Sequence, residues 1–263
     1  MKILSGKELA GFIKERQAHQ VAGFKSASIT PKLLILRDSN DPVISKYVNL
    51  KIAYGNDIGI EVEDYYAKNS TDITNKIYQA NADPTIHGII IQLPITEKDK
   101  TDELCNLIAP NKDVDGLGIN SAYDSATATA ILWLLAGYDI KLGHKKIAIV
   151  GRGKLVGAPL FRMFQASNYD VSLFHRGDDL TNLKNFDIII SATGVPGLVS
   201  DNLISPGATL IDAGTASEKG VIKGDLAPEL YDRTDLTAIT PPIGGVGPLT
   251  VTCLFDHVIQ STC

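Results

Sequence analysis

Residues 146–157 read KIAIVGRGKLVG. Ile147, Ala148, Ile149 and Val150 form an apolar run that stops at Gly151, and Gly153 and Gly157 follow. Beyond the turn, apolar residues recur at helical spacing through Leu155, Val156, Leu160, Met163 and Phe164. The order is strand, glycine turn, helix. Such a turn lets backbone N–H groups approach a pyrophosphate at a helix N-terminus, where the helix dipole favours an anion. The spacing G-x-G-x-x-x-G is one residue longer than the usual dinucleotide fingerprint, and taken alone it also fits an ordinary tight β–α turn.

Toward the C-terminus, residues 171–174, 187–191 and 208–212 read as further strands, the last two followed by ATGVPG (192–197) and by Gly214. Ala238 and Ile239 start a last short strand. This succession describes a doubly wound nucleotide-binding sheet. His175 and Arg176 stand just past strand 171–174. NAD enzymes usually carry an acidic residue there for the ribose 2′-OH, whereas a basic residue accommodates a 2′-phosphate, so the pattern favours NADP over NAD. Asp178 and Asp179 follow closely, and either can supply the acidic group after a longer loop. Residues 241–248, PPIGGVGP, hold prolines and glycines that exclude both a helix and a central strand. Residues 249–260 read as a terminal helix.

Toward the N-terminus, residues 5–21 form an amphipathic helix, opened by Ser5 and Glu8 in a capping-box pattern. A strand over 32–36, a turn over 38–42 and a helix over 43–54 stopping at Gly55 come next. A strand over 58–62, a helix over 71–81 and a buried strand over 88–92 follow, the last ended by Pro94. Residues 99–108 form another helix, 110–118 (PNKDVDGLG) a loop, and 125–135 an apolar helix ending near Gly137. The alternation argues for a second parallel α/β unit, with the domain boundary just before residue 125.

The bulk properties narrow the function classes. The 263 residues suffice for two modest domains or one large one. Hydrophobic residues at 44% and charged residues at 21% suit a soluble globular protein. The net charge of −5, without a basic block, argues against a nucleic-acid surface. Cys105, Cys253 and Cys263 are scattered and odd in number, offering neither a disulfide framework nor a metal-ligand cluster, which suits a reducing cytosol. No segment has the apolar length of a signal peptide core or a membrane span.

Four constellations outside the glycine turn carry potential chemistry. Tyr47 and Lys51 share one helix face, where a phenol and an ammonium can hold an aromatic substrate and move protons, although an isolated pair of this spacing is more often a surface feature. Gln92, Leu93 and Pro94 lie at the C-terminal end of a buried strand, the end at which open α/β sheets bind ligands. In Asp113-Val114-Asp115-Gly116 a carboxylate can accept paired N–H donors from a heterocycle, although the same residues also make an ordinary turn. Gly244, Gly245, Gly247, Pro248 and Thr250 allow close backbone approach to a flat ligand before a helix N-terminus.

Taken in order, these motifs resemble the bifunctional methylenetetrahydrofolate dehydrogenase/cyclohydrolase family. The resemblance uses Tyr47-Val48-x-x-Lys51, Gln92-Leu93-Pro94, Lys112-Asp113-Val114-Asp115-Gly116 and Gly151-Arg152, then Val156-Gly157-x-Pro159, Pro206-Gly207-Ala208, Gly224-Asp225 and Gly244-Gly245-Val246-Gly247-Pro248-x-Thr250. It implies an α/β catalytic domain over residues 1–124, completed by the C-terminal helix 249–263, and a Rossmann-type NAD(P) domain over 125–248, with a cleft between them. By that resemblance Tyr47 stacks on the folate, Lys51 takes part in proton transfer and water addition, Gln92 tunes Lys51, and Asp115 anchors the pterin. Leu93, Pro94, Gly244, Gly245, Pro248 and Thr250 complete the folate subsite. Gly151, Arg152, Gly153 and Val156 approach the cofactor phosphates, His175 and Arg176 the adenosine ribose, and Thr193, Gly194, Pro196, Gly214 and Thr215 the nicotinamide half. The implied activity is NADP-dependent oxidation of 5,10-methylenetetrahydrofolate and hydrolysis of the methenyl product to 10-formyltetrahydrofolate, in one-carbon metabolism, by a cytoplasmic homodimer without a metal. The family usually has Ser where Gly153 stands and Pro where Thr96 stands, and its loop after the Asp-Gly motif is longer. That shortened loop keeps two other readings open, a folate- or dinucleotide-binding sensor without turnover and a dehydrogenase lacking the hydrolase step.

Overall fold

In the computed structural model the described residues are 1–214, 216–218 and 221–263. In chain order they form β1 (Lys2–Ile3), α1 (Gly6–Ser26), β2 (Lys32–Arg37), α2 (Pro42–Ile58), β3 (Glu61–Tyr66), α3 (Ser70–Ala82), β4 (Gly88–Ile91), α4 (Thr101–Leu107) and α5 (Ala126–Gly137). The second half contributes β5 (Lys146–Val150), α6 (Gly157–Ala166), β6 (Asp170–Phe174), β7 (Ile188–Ser191), β8 (Thr209–Asp212), β9 (Ala216–Glu218), β10 (Val221–Lys223), β11 (Ala238–Ile239) and α7 (Val246–Ser261). The chain divides into two units, one of Met1–Ala10 and Thr127–Thr250, the other of Gly11–Ala126 and Val251–Cys263.

The unit that holds the glycine turn is a six-stranded sheet in the order β1-β11-β8-β7-β5-β6, with every neighbouring pair parallel. Strand β5 lies between β6 and β7, so the chain reverses its direction of winding across the sheet at β5. That is the topological switch point at which open α/β sheets bind ligands. The core is built from continuous apolar strands: Ala148, Ile189, Leu210 and Ile239 are fully buried. Fully parallel strands need both faces covered, which is why these strands do not alternate with polar residues. The edge strand β1 has only two residues and no sequence signal, but Leu4 beyond it is fully buried and its N–H donates to Ile239 O at 2.8 Å. The β9–β10 hairpin is antiparallel and stands outside the main sheet.

The other unit is a three-stranded parallel sheet in the order β3-β2-β4. Leu33, Leu34, Ile35 and Leu36 of the central strand are all fully buried. Each such side chain contributes about 1.5–3 kcal/mol relative to exposure. Beside β4 the loop at 110–118 adds a single parallel rung between Ile89 and Asp113, with Ile89 N–H donating to Lys112 O at 2.7 Å. That rung directs Asp115 toward the C-terminal end of β4.

Three expectations from the sequence are corrected. The second helix does not stop at Gly55. It runs to Ile58 and is capped by Gly59 at φ +87°. Gly55 is instead a contact point, because a Cβ there would lie 2.4 Å from Val62 Cγ2. The strand expected over 58–62 is β3, shifted to Glu61–Tyr66. Its acidic residues fit a strand because Lys32 pairs with Glu61 and Glu63 at 3.0 Å each, Lys76 with Glu63 at 2.8 Å, and Arg37 with Asp64 at 2.9 Å. Charges on an edge strand also discourage pairing with another chain. Finally, α7 begins at Val246, inside the segment 241–248 expected to be non-helical. Pro248 is tolerated in the first turn, where its missing N–H has no intrahelical partner to lose.

Candidate active site

At the C-terminal end of the small sheet, the loop after β2 leads into α2. Asp41 caps this helix, its carboxylate accepting from Val43 N–H at 2.7 Å and Ile44 N–H at 3.4 Å. Tyr47 and Lys51, one turn apart, are both half-buried. Lys51 Nζ donates to Gln92 Oε1 at 2.8 Å, and Gln92 Nε2 donates to Leu93 O at 3.2 Å. The amide of Gln92 is thereby oriented with its oxygen toward the lysine. The Leu93–Pro94 peptide bond is cis.

Burial holds the Lys51 ammonium below the ordinary lysine range, and the nearby Asp115 carboxylate acts in the opposite direction. Burial pushes Asp115 up to about 6, with Lys51 opposing the shift and Asp113 adding to it. A cation and an anion thus sit in a shared low-dielectric site, each displaced toward its neutral form. Burial also raises the Tyr47 phenol. Asp113, although adjacent in sequence, is buried and committed to the loop. Its carboxylate accepts from Gly118 N–H at 2.7 Å. Lys112 is likewise structural, with Nζ donating to Ala80 O at 2.9 Å, Asn81 O at 3.1 Å and Asp83 O at 2.6 Å, at the C-terminus of α3.

In the larger unit, the turn after β5 sits where a dinucleotide site is expected. Gly151 has φ +107°, and a Cβ on it would lie 2.5 Å from Ala192 O. A Cβ on Gly157 would lie 1.8 Å from Gly151 O. The first glycine lets the loops after β5 and β7 meet, and the second seats α6 against the turn. This close backbone approach at a helix N-terminus fits the phosphates of a dinucleotide. Arg152, Gly153, His175 and Arg176 are exposed, and Val156 is half-buried. Asp178 folds back on His175, accepting from its N–H at 2.6 Å, while Asp179 accepts from Thr181 N–H at 2.9 Å. Thr193 and Pro196 are half-buried and Gly194 is exposed beyond β7, and Gly214 is buried beyond β8. Thr215 lies outside the described residues.

Two family models match the chain. The model described as the catalytic domain of tetrahydrofolate dehydrogenase/cyclohydrolase covers residues 4–115, and the one described as its NAD(P)-binding domain covers 125–263. The bifunctional protein FolD of Lactobacillus acidophilus is 35% identical over 276 residues, spanning 99% of this chain and 97% of that protein. The chain belongs to the tetrahydrofolate dehydrogenase/cyclohydrolase family. Among solved structures, the bifunctional FolD enzyme of Campylobacter jejuni matches with a TM-score of 0.93 at 29% identity, over 100% of this chain and 98% of that one. The FolD of Trypanosoma brucei, solved with NADP cofactor and an inhibitor, matches with a TM-score of 0.89 at 25% identity, over 99% and 96%.

For this member of the tetrahydrofolate dehydrogenase/cyclohydrolase family, the described contacts join Lys51 with Gln92 and, through their charges, with Asp115. Gly244 and Gly245 are placed separately, in the unit that carries the large sheet. There Gly244 O accepts from Lys7 N–H at 2.9 Å. Pro248 and Thr250 are half-buried in the first turns of α7. Two polar side chains that sequence reasoning left without a role lie next to expected site residues, one in each unit. His257 Nδ1 meets Val114 O at 2.8 Å, next to Asp115, and its ring stacks on Tyr123 at 4.8 Å. Asp225 contacts the loops after β7 and β8. Gly224-Asp225 was visible as a motif, but nothing local in the sequence says what the carboxylate holds.

Proposed function

We propose that this protein oxidises 5,10-methylenetetrahydrofolate with NADP and hydrolyses the methenyl product to 10-formyltetrahydrofolate. The observation that carries the reading is the 2.8 Å contact from Lys51 Nζ to Gln92 Oε1, in a site where burial favours the neutral amine. An oriented amine that burial shifts toward its neutral form can take a proton from water. Bound NADP supplies the hydride acceptor. The folate carbon lies between two nitrogens whose lone pairs stabilise the cation formed as hydride leaves, so this step needs orientation more than an acid. Water then adds to the methenyl carbon and loses one proton to Lys51; as the bond from that carbon to one nitrogen breaks, the remaining hydroxyl proton is passed to the departing nitrogen and the formyl group stays on the other.

In this proposal Tyr47 covers the face of the folate, Asp115 accepts the pterin N–H groups, and Gln92 holds Lys51. Leu93, Pro94, Gly244, Gly245, Pro248 and Thr250 complete the folate subsite. The domains are residues 1–124 with 249–263 for catalysis and 125–248 for the dinucleotide. Arg176, exposed past β6, supports NADP over NAD, as does the NADP bound by the trypanosomal relative. His175 lies beside it, and Gly151, Arg152, Gly153, Val156, Thr193, Gly194, Pro196, Gly214 and Thr215 are assigned to the rest of the cofactor. The resemblance also supports a homodimer, which sedimentation velocity reads directly. No described helix is long and apolar enough to cross a membrane. The scattered placement of Cys105, Cys253 and Cys263 along the sequence supports a reducing, cytoplasmic location.

The test is turnover of 5,10-methylenetetrahydrofolate with NADP and NAD in parallel, following reduced cofactor, methenyl and 10-formyl species separately. The expected result is reduced NADP with formyl product. Lys51→Met is expected to abolish enzymic hydrolysis while folate still binds, and a full hydrolysis rate in that variant would discard the role of Lys51. Folate or NADP binding without any product would favour a sensor.

A further inference from the structure

The Gly224-Asp225 motif has no assigned role, yet Asp225 is fully buried. Its Oδ2 accepts from Ser191 Oγ at 2.7 Å, at the end of β7, and from Thr193 N–H at 2.6 Å, in the loop that follows. A second carboxylate stands beside it. Asp212 closes β8, and its Oδ1 accepts from Gly214 N–H and from Asp225 N–H, both at 3.0 Å. Its Oδ2 accepts from Leu226 N–H at 3.0 Å and Tyr231 Oη at 3.4 Å.

The glycines next to these aspartates interlock with them. A Cβ on Gly214 would lie 2.0 Å from Asp225 Oδ1, and a Cβ on Gly224 would lie 2.0 Å from Asp212 Oδ2. Each carboxylate therefore fills the space that a side chain on the other strand's glycine would need. This accounts for two separate Asp–Gly combinations, Asp212 with Gly214 and Gly224 with Asp225. Among the described residues, Asp225 Oδ1 is buried without a hydrogen-bond partner. An uncompensated buried carboxylate oxygen is costly. It persists here because the other oxygen accepts two donors and the glycine backbone closes over the carboxylate.

We propose that Asp225 is a positioning residue for the nicotinamide half of the dinucleotide, fixing the loops after β7 and β8 with Asp212 as its support. The proposal rests on the functional reading above for what those loops bind. Asp225 itself does not touch the reacting atoms. Its Oδ2 sets the direction of the Thr193 backbone, and its Oδ1 sets how closely Gly214 can approach. A family member that runs one step with a dinucleotide and one without contains its own control, because hydrolysis of the methenyl compound uses no NADP.

The experiment compares the full-length protein with Asp225→Ala and Asp225→Asn in three assays. These are NADPH binding by fluorescence titration, KM and kcat for NADP in the dehydrogenase step, and hydrolysis of added methenyltetrahydrofolate. Removing both acceptor contacts in Asp225→Ala is expected to weaken NADPH binding and raise KM for NADP about tenfold or more, with hydrolysis within about twofold of the unsubstituted protein. Asp225→Asn keeps an oxygen for Ser191 and Thr193 and is expected to recover most of that loss. Equal losses in NADPH binding and hydrolysis, or unchanged NADPH affinity in Asp225→Ala, would overturn the proposal. The binding titration decides it even if the unsubstituted protein turns over no folate, a result that would instead remove the functional reading.

Discussion

At the residue scale, the site depends on two groups that burial moves in opposite directions. Asp115 is pushed up to about 6 by burial, and Lys51 is the cation that opposes this. Replacing Lys51 by Met removes that opposition, so Asp115 should titrate above its value in the unsubstituted protein. A carbon-13 titration of the side-chain carboxyls reads both values, and an unchanged Asp115 in the variant would show that the two charges do not interact. The sign for stability follows from the same shift. The unfolded carboxyl titrates near ~3.9, so between about pH 4 and pH 6 the folded state holds a proton that the unfolded chain has lost. The contribution of Asp115 is fully present below about pH 4 and is lost as pH rises through 6. Asp115→Asn should flatten that part of the stability curve in urea titrations. In the sequence Tyr47, Lys51 and Gln92 stand out because they lie on a helix face whose period can be counted or at a strand end, whereas Asp115 lies in a loop with no such signal. The residues alone did not distinguish Asp113 from Asp115, which only the family resemblance did, since the backbone path decides which carboxylate accepts from the loop and which interacts with Lys51.

At the element scale, the strands with continuous β-branched residues were readable and those with mixed composition were not. Residues 147–150 and 188–190 can be little else than buried strands. Strand β3, EVEDYY, is polar because its edge position leaves its charges half in water and opposite Lys32, Arg37 and Lys76. Gly55 misled for a similar reason. Its lack of a side chain reflects the close approach of Val62, Ile60 and Phe255, not a helix end, and Phe255 is far off in sequence. The sign of Gly55→Ala separates the two explanations. In an exposed helix interior that change stabilises by up to ~1 kcal/mol. Here the new Cβ would fall 2.4 Å from Val62 Cγ2, 3.1 Å from Ile60 O and 3.2 Å from Phe255 Cε1. Overpacking of this kind typically costs about 1–3 kcal/mol. Chemical denaturation should therefore show a loss, and a gain would mean that α2 and β3 can separate freely.

At the scale of the whole molecule, the sequence places a boundary near residue 125 and the family resemblance returns helix 249–263 to the first domain, while the compact units each draw on separated stretches of chain. The first ten residues belong with Thr127–Thr250, and Val251–Cys263 belongs with Gly11–Ala126. Helical periodicity reveals α1 and α7, but it carries no information about which sheet each end serves. The contribution of the N-terminal stretch is specific. Lys2 N–H donates to Thr237 O at 2.9 Å, Leu4 N–H to Ile239 O at 2.8 Å, and Lys7 N–H to Gly244 O at 2.9 Å. Ser5 Oγ accepts from Glu8 N–H at 3.2 Å, and Ser5 N–H donates to Tyr138 Oη at 3.1 Å, so the expected capping box is completed by a residue far along the chain. Leu4 has no exposed surface. Leu4→Ala should therefore cost roughly 2–5 kcal/mol, as other buried leucine truncations do. The location of the loss can be read by hydrogen exchange. Amides of β8 and β11 should lose protection in the variant, while those of β2 and β4 keep theirs, because Leu4 belongs to the unit that holds β8 and β11. Equal loss in both sets would mean that the two units open as a single cooperative block, and that a contact at residue 4 stabilises the sheet beside Lys51 as much as the six-stranded sheet.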